Sequence, residues 1–134
     1  MNNLSLEIVC PDKKIFEGEA KSLLVTTDNG EIMIMKGHAD LVATLKTGKA
    51  KITLSDGSER TASASGGFII VSDGKAQVVS TTFEFKDTID IERARLAKEA
   101  AEQKIKNAKD DREFAIAKAK LERAISRISV ASEK

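Results

Sequence analysis

The chain has few of the residues on which metal centres and disulfide frameworks depend. Its 134 residues include one Cys, one His, one Pro, no Trp and no Tyr. One histidine and one cysteine cannot supply the ligands of a His/Cys zinc site. Cys10 has no partner for an internal disulfide, which favours a reducing compartment. We therefore expect no metal site and a fold that forms without covalent cross-links.

Long hydrophobic runs and a strong charge of one sign are also missing. No stretch approaches the roughly 20 apolar residues that a membrane-spanning helix needs, and Met1 to Glu7 lacks the pattern of a signal peptide. The formal net charge is only +1, and no Trp or Tyr is present to stack on bases. These features argue against a nucleic-acid partner and against direct membrane insertion. Any association with a membrane is expected to run through another protein.

The motifs of common catalytic sites are absent as well. Neither Gly-Lys pair has a glycine five positions upstream, as a P-loop requires. Ser65-Gly66-Gly67 lacks the flanking pattern of a nucleophile elbow. His38, in Gly37-His38-Ala39-Asp40, is interpreted as a turn or interface histidine rather than a general base. We predict that the chain has no catalytic residue and is not an enzyme by itself.

What the sequence does contain divides near residue 86. From Leu4 to Ser80 there are short apolar or alternating runs separated by turn residues, among them Asn29-Gly30 and Asp56-Gly57. Such dipeptides suit tight turns between antiparallel strands. Residues 1–86 are therefore predicted to form an antiparallel β-sandwich of about ten strands.

The remaining residues, 87–134, have helical periodicity. Apolar residues recur at steps of three and four on both sides of a break near Asp110-Asp111. The two series are Ala94, Ala97, Ala101, Ile105 and Ala108, then Phe114, Ala117, Leu121, Ala124 and Ile128. They predict two antiparallel helices in a hairpin, so the fold class is α+β.

The predicted seam between these helices is weak. An alanine methyl buries little area, so each alanine contributes well under the roughly 1.5–3 kcal/mol of a buried leucine. Ala, Lys, Glu and Arg are nevertheless good helix formers. The hairpin is therefore predicted to open while remaining helical. Asp87, Thr88 and Asp90 are all candidates to cap its first helix.

Folding the tail back at the break brings a charged cluster together. Asp90 and Arg93 near the start of the first helix are expected beside Arg123 and Arg127 near the end of the second. One interpretation is interhelical ion pairing, worth about 0–1 kcal/mol. The other is an anion site in which arginines hold phosphates and a carboxylate accepts hydrogen bonds from a base or sugar.

Several motifs together resemble a known family over nearly the whole chain. They resemble the epsilon subunit of bacterial F-type ATP synthases. The segments that carry the resemblance are Gly30-Glu31-Ile32-Met33-Ile34, Gly37-His38-Ala39, Ala64-Ser65-Gly66-Gly67-Phe68, Ile89-Asp90-Ile91-Glu92-Arg93-Ala94 and Arg123-Ala124-Ile125-Ser126-Arg127-Ile128.

The resemblance implies a non-catalytic subunit of the central rotor, which couples ion translocation to ATP synthesis. The sandwich would bind the gamma subunit and the ring of c subunits at the cytoplasmic face of the bacterial plasma membrane. Glu31, Met33 and His38 would lie near that ring. No cofactor is implied as a requirement.

The resemblance also implies that the hairpin regulates ATP hydrolysis. Extended along gamma, it would meet the catalytic alpha and beta subunits and inhibit ATP hydrolysis, with Lys118, Lys120, Arg123 and Arg127 as inhibitory contacts. Folded against the sandwich, it would be permissive and could be held there by ATP as a regulatory ligand. The implied ATP-site residues are Glu84, Ile89, Asp90, Arg93, Ala94, Arg123 and Arg127.

Four positions depart from the family pattern. Lys36 and Asp40 stand where prolines are common, and Ala100 and Ile116 stand where ATP-binding relatives often carry arginine.

Two alternative functions stay open. The chain could be a purely structural coupling subunit without nucleotide binding, or, outside the family, a sandwich binding module with a helical dimerisation arm.

Overall fold

The computed structural model describes residues 3–133, which form eight strands followed by a short 3-10 turn and two helices. The elements are β1 (Leu4–Cys10), β2 (Lys13–Ala20), β3 (Ser22–Thr27), β4 (Gly30–Met35), β5 (Leu41–Leu45), β6 (Gly48–Thr53), β7 (Glu59–Ser72), β8 (Lys75–Phe85), the turn Lys86–Thr88, α1 (Ile91–Lys106) and α2 (Asp111–Ser132).

The strands form one sheet that folds over on itself. Its order is β2-β1-β8-β7-β5-β3-β4, and β6 pairs with both β3 and β7, so the sheet closes into two layers. The alternation in β1 shows how the core is filled, because Leu4, Leu6 and Ile8 are all buried while Ser5 is exposed. The predicted α+β class and sandwich are confirmed. One pairing differs from the antiparallel expectation, since β1 and β8 run parallel.

The predicted count of about ten strands was too high, and the structure has eight in residues 3–133. Two of the strands are long, since β7 has 14 residues and β8 has 11. The first half of β7 pairs with β6 as far as Ala64, and its second half pairs with β5 from Gly67 onward. Gly67 has a φ of +142°, which few residues other than glycine adopt. The strand therefore bends from one layer to the other without ending.

The two helices form the predicted hairpin, and α2 is the helix that packs on the sandwich. Helix α1 packs mainly on α2, whereas α2 also contacts β6, β7 and the 3-10 turn. The residues buried along the seam are Ala94, Ala101, Ala117 and Ala124. Phe114, which the periodicity places on this seam, lies near the tip and is 46% exposed. The tight part of the seam therefore begins at Ala117.

Two aspartates set where the helices begin. The Asp90 carboxylate accepts hydrogen bonds from the amides of Glu92 and Arg93 at 3.1 and 3.2 Å, so Asp90 caps α1. Asp110 accepts from the Glu113 amide at 2.8 Å and caps α2. Of the three candidates for the first cap, Asp90 is the one used.

Polar contacts fasten α2 and its C-cap residue Glu133 to the sandwich and to the 3-10 turn. The hydroxyls of Ser63 on β7 and Ser126 on α2 lie 2.7 Å apart and are buried. Lys49 on β6 meets the Glu133 carboxylate at 3.1 Å. The Lys86 ammonium donates to the backbone carbonyl of Glu133. Neither helix among the described residues has the length and hydrophobicity needed to cross a membrane.

Candidate functional site at the base of the hairpin

A cavity of about 230 Å³ lies where the hairpin meets the end of β8. All of the predicted ATP-site residues except Arg123 line it. Its lining consists of Glu84, Thr88, Ile89, Asp90, Arg93, Ala94, Ala97 and Arg127. The fold therefore brings the end of β8, the start of α1 and the second half of α2 to one place. Thr88 and Ala97 belong to this lining although the sequence analysis did not include them.

An ion pair crosses this cavity. Arg127 Nε donates to Glu84 Oε1 at 2.5 Å, and the two side chains are 29% and 34% exposed. Surface ion pairs contribute about 0–1 kcal/mol to folding stability, and a partly buried pair such as this one is expected near the top of that range. Within residues 3–133 the terminal guanidinium nitrogens of Arg127 have no hydrogen-bond partner, so they can still donate to an anion.

Asp90 has a structural role in this arrangement. One of its carboxylate oxygens accepts the two amides at the start of α1. No ion pair joins Asp90 to Arg93, Arg123 or Arg127 in the described part of the chain. The interhelical ion pairing considered from the sequence is therefore not formed. The pair that does form joins α2 to β8.

Arg123 lies in a second cavity that adjoins the first. This cavity has a volume of about 290 Å³ and shares Ala97 and Arg127 with its neighbour. Its lining is Ala97, Ala100, Ala101, Lys104, Lys120, Arg123 and Arg127. Ala100 is thus part of its floor. Ile116, the other uncharged departure, lines a third cavity of about 350 Å³ nearer the hairpin tip.

A larger cavity of about 610 Å³ lies beside the carboxyl end of α2, but its charges are largely satisfied internally. Lys51 pairs with Glu59 at 3.8 Å, and Lys86 is bonded to Glu133. The Arg60 guanidinium stacks 3.6 Å from the centre of the Phe85 ring. Ile89 is the one predicted ATP-site residue that lines it. The two smaller cavities offer more unpaired donors and fit an anion better.

The residues predicted to face the rotor ring lie on the edge strand β4 and just after it. Glu31 and Met33 project from the exposed face of β4, which pairs with β3 alone. Met33 is 53% exposed and Met35 54%. His38 follows the strand, and its Nδ1 lies 2.7 Å from the Ala39 carbonyl oxygen. Lys118, the first of the predicted inhibitory contacts, is exposed on α2 and lies outside the three cavities along the hairpin.

Sequence comparison identifies the class of protein to which this fold and site belong. The family model described as "ATP synthase, Delta/Epsilon chain, beta-sandwich domain" matches residues 3–86, and the one described as "ATP synthase, Delta/Epsilon chain, long alpha-helix domain" matches residues 87–132. The chain belongs to the ATP synthase delta/epsilon chain family.

Within that family, similar relatives carry the name ATP synthase epsilon chain. The chain is 41% identical to that of Ruminococcus albus over 130 residues, which cover 96% of each chain. It is 41% identical to that of Staphylococcus aureus strain JH9 over 135 residues, which cover 100% of each. The resemblance to the epsilon subunit of bacterial F-type ATP synthases is confirmed.

Solved structures support the fold. A chain in the Euglena gracilis mitochondrial ATP synthase, in a structure of OSCP, F1 and c-ring, superposes with a TM-score of 0.84 at 22% identity, covering 99% of this chain and 83% of that one. A chain in the central stalk and c-ring structure of the Tetrahymena thermophila enzyme gives 0.64 at 14% identity, covering 96% of each. At these identities the likeness concerns the fold.

Proposed function

We propose that this chain is a non-catalytic rotor subunit of an F-type ATP synthase whose helical hairpin is a nucleotide-sensitive brake on ATP hydrolysis. The observation that carries the proposal is the way the hairpin is attached. Alanines form its internal seam, and one buried serine pair with two partly exposed ion pairs holds α2 on the sandwich. Such an attachment can be released without disturbing the strands.

The rotor role places the sandwich between gamma and the c ring, at the cytoplasmic face of the plasma membrane. Two observations support it. The superposed chains come from structures that contain F1 and the c-ring or the central stalk. The exposed face of β4 presents Glu31, Met33 and Met35 on an edge strand that the hairpin leaves uncovered. Exposed methionines are common at adaptable protein contacts.

The brake requires a second arrangement of the hairpin. In the folded-back form Arg123 and Arg127 line cavities, and Arg127 is paired with Glu84. Release of α2 frees both arginines and Lys120 to contact acidic surfaces of the alpha and beta subunits, beside Lys118, which is already exposed. Arg123 and Arg127 therefore serve either the folded-back or the extended state, and each state excludes the other.

ATP would select the folded-back form. Arg93, Arg127 and Arg123 surround the two adjoining cavities, and the terminal nitrogens of Arg127 remain available to phosphate oxygens. Together the two volumes fall within the range of about 300–1,000 Å³ that is usual for small-molecule sites. A ligand that binds this form alone stabilises it by about 2.7 kcal/mol at a hundredfold excess over Kd. A shift of that size can decide between two nearly balanced states.

Calorimetry on the full chain tests nucleotide binding. We expect ATP to bind with a measurable heat, and Arg93→Gln or Arg127→Gln to raise Kd about tenfold for each 1.4 kcal/mol lost. Arg112→Gln is a matched control, because Arg112 is an exposed residue of α2 that lines none of the cavities along the hairpin. No heat and no thermal shift at millimolar ATP would leave the purely structural coupling subunit as the better account.

A reversible lock tests the brake in the assembled enzyme. Because the Ser63 and Ser126 hydroxyls face each other at 2.7 Å, Ser63→Cys with Ser126→Cys should form a disulfide in a Cys10→Ser background. We expect the oxidised enzyme to hydrolyse ATP faster than the reduced one, since its hairpin cannot extend. Ser126→Cys alone is the control and should not respond to redox state. Equal hydrolysis in both states of the double variant would show that the hairpin is not a brake.

A further inference from the structure

Three sandwich residues that hold α2 stand side by side in one row across three strands. Lys49 of β6 is directly opposite Ser63 of β7, and Ser63 is directly opposite Glu84 of β8. Residues paired in this way lie on the same face of a sheet. The row, which we call the docking strip, therefore presents a cation, a hydroxyl and a carboxylate in that order.

Helix α2 and its C-cap residue meet each position of the docking strip with a complementary group. At one end of the strip, the Lys49 ammonium lies 3.1 Å from the Glu133 carboxylate. At the other end, Arg127 Nε donates to the Glu84 carboxylate at 2.5 Å. Between them, the two serine hydroxyls are 2.7 Å apart. A helix docked end for end would bring like charges together, so the order of charges selects one orientation.

Polar side chains also flank the docking strip on its own face of the sheet. The neighbouring cross-strand pairs on that face are Lys51 with Thr61 and Ser65 with Thr82. The adjacent row points the other way and belongs to the buried core; it consists of Ala50, Ala62 and Phe85. Water can therefore replace α2 on this surface at little cost to the core.

We propose that the docking strip selects the orientation and register of α2 by charge order and makes release of the hairpin sensitive to ionic strength. Salt screens partly exposed ion pairs, and the strip has one at each end. The part of the strip in opening the hairpin within ATP synthase rests on the proposed function. The ordered contacts concern the folded-back chain alone.

Exchanging the two charged residues of the strip tests the order directly. Lys49→Glu with Glu84→Lys, the reversed-strip variant, keeps the net charge but places like charges at both ends of the contact with α2. In the full chain without nucleotide, we expect α2 amides to exchange hydrogen about tenfold faster, because both ion pairs become repulsive. Lys13→Glu with Glu19→Lys is the matched control, since both are exposed residues of β2 and α2 packs on other elements.

Reversing the charges of the hairpin as well separates charge order from simple loss of contacts. Adding Arg127→Glu and Glu133→Arg to the reversed strip restores opposite charges at both ends. We expect this fourfold variant to regain most of the protection that the reversed strip loses. The Lys86 contact should persist, because it uses the backbone carbonyl of residue 133. Unchanged exchange in the reversed-strip variant, or equally fast exchange in the fourfold variant, would overturn selection by charge order.

Salt provides a test that needs no reversed charge. Raising NaCl from about 0.1 M to about 1 M shortens the Debye length from about 10 Å to about 3 Å. We expect α2 exchange in the wild type to accelerate while exchange in the core strands stays the same. Lys49→Gln with Glu84→Gln should respond less, and its difference from the wild type excludes effects of salt on charges within the hairpin. An equal response in both chains would overturn salt-sensitive release.

ATP hydrolysis by the assembled enzyme separates the docking strip from the proposed brake. A weakened strip releases the hairpin more often, so the reversed-strip variant should hydrolyse ATP more slowly than the wild type. If α2 exchanges faster in the isolated chain but hydrolysis is unchanged, the strip selects α2 and the hairpin is not a brake. If the disulfide lock alters hydrolysis but the reversed strip leaves α2 exchange unchanged, the brake stands and charge order does not hold the helix.

Discussion

Arg127 of α2 and Glu84 of β8 form an ion pair of 2.5 Å that joins the helical hairpin to the sandwich inside the candidate anion site. Glu84→Gln removes the charge but keeps an acceptor. We expect the folded-back hairpin to lose up to about 1 kcal/mol, seen as faster hydrogen exchange in α2. Glu17→Gln, which removes an exposed partner of Lys14, should leave α2 unchanged.

The same substitution tests whether an anion competes with Glu84 for Arg127. With the carboxylate gone, all donors of Arg127 become available, so inorganic triphosphate should bind Glu84→Gln more tightly than the wild type. Isothermal titration measures this directly. Weaker binding would mean that Glu84 positions Arg127 for the anion.

The buried serine pair predicts a non-additive result. Ser126→Ala alone leaves the Ser63 hydroxyl buried without its partner and should cost about 1–3 kcal/mol of hairpin attachment. Ser63→Ala with Ser126→Ala removes both groups and should cost much less than the sum of the single changes. Native-state hydrogen exchange of α2 amides provides the four free energies of this cycle. Additive costs would show that the hydroxyls do not interact.

Because Asp90 caps α1, we expect alanine and serine at this position to differ in their effect on helix stability. Asp90→Ala should destabilise α1 by about 0.5–2 kcal/mol, because the amides of Glu92 and Arg93 lose their acceptor. Asp90→Ser keeps a cap and removes only the charge. Urea unfolding followed at 222 nm measures the loss. Comparing ATP affinity in the serine variant then isolates any direct role of the carboxylate, which the alanine variant confounds with helix fraying.

Lys120 predicts a pH dependence of hairpin stability. Its pKa is lowered from the ordinary value of 10.5, first of all by Lys104. The unfolded state therefore holds this proton more tightly than the folded state, so stability rises as pH increases through the lowered pKa toward 10.5. We expect a smaller rise in Lys104→Gln than in the wild type, measured as helix melting between neutral pH and that value. Lys106→Gln should follow the wild type.

We expect replacement by alanine to be tolerated at Gly66 but not at the neighbouring Gly67. A Cβ at Gly67 would collide with the Val79 carbonyl oxygen, and the φ of +142° is strained for other residues, so Gly67→Ala should cost several kcal/mol, on the order of 3 or more. A Cβ at Gly66 meets nothing closer than Thr81 Oγ1 at 3.9 Å. Gly66→Ala should therefore stay within about 1 kcal/mol. Denaturant unfolding of the sandwich compares the two.

Local signals in the sequence predicted most of the architecture. Alternation identified β1, Asp-Gly identified the turn between β6 and β7, and steps of three and four identified both helices and the alanine seam. The strand count failed at Gly66-Gly67, where a glycine pair that usually marks a turn instead bends one continuous strand. Local patterns do not distinguish these cases, because the pairing of β7 with two partners is a long-range property.

The residues of the candidate site could be predicted from the sequence, but the contacts between them could not. Helical spacing predicted the cluster of Asp90, Arg93, Arg123 and Arg127, and the resemblance added Glu84. The fold brings all of these except Arg123 into one cavity. The Asp90 cap was one of three options that only backbone geometry could decide. The fastening contacts of Ser126 and Glu133 depend on which face of α2 meets the strands. Lys104 and Lys120 are sixteen positions apart, so their meeting depends on the register of the hairpin.

The order of layers in the hairpin has a mechanical consequence. The chain leaves β8 into α1, yet α1 is the outer layer and rests on the sandwich through α2. Helix α2, which comes last in the chain, therefore lies between the sandwich and α1, both of which precede it in sequence. Withdrawing α2 strips α1 of its only substantial neighbour within residues 3–133, so both helices must find new surfaces together. A partner that captures the second helix thereby also repositions the first, without touching it.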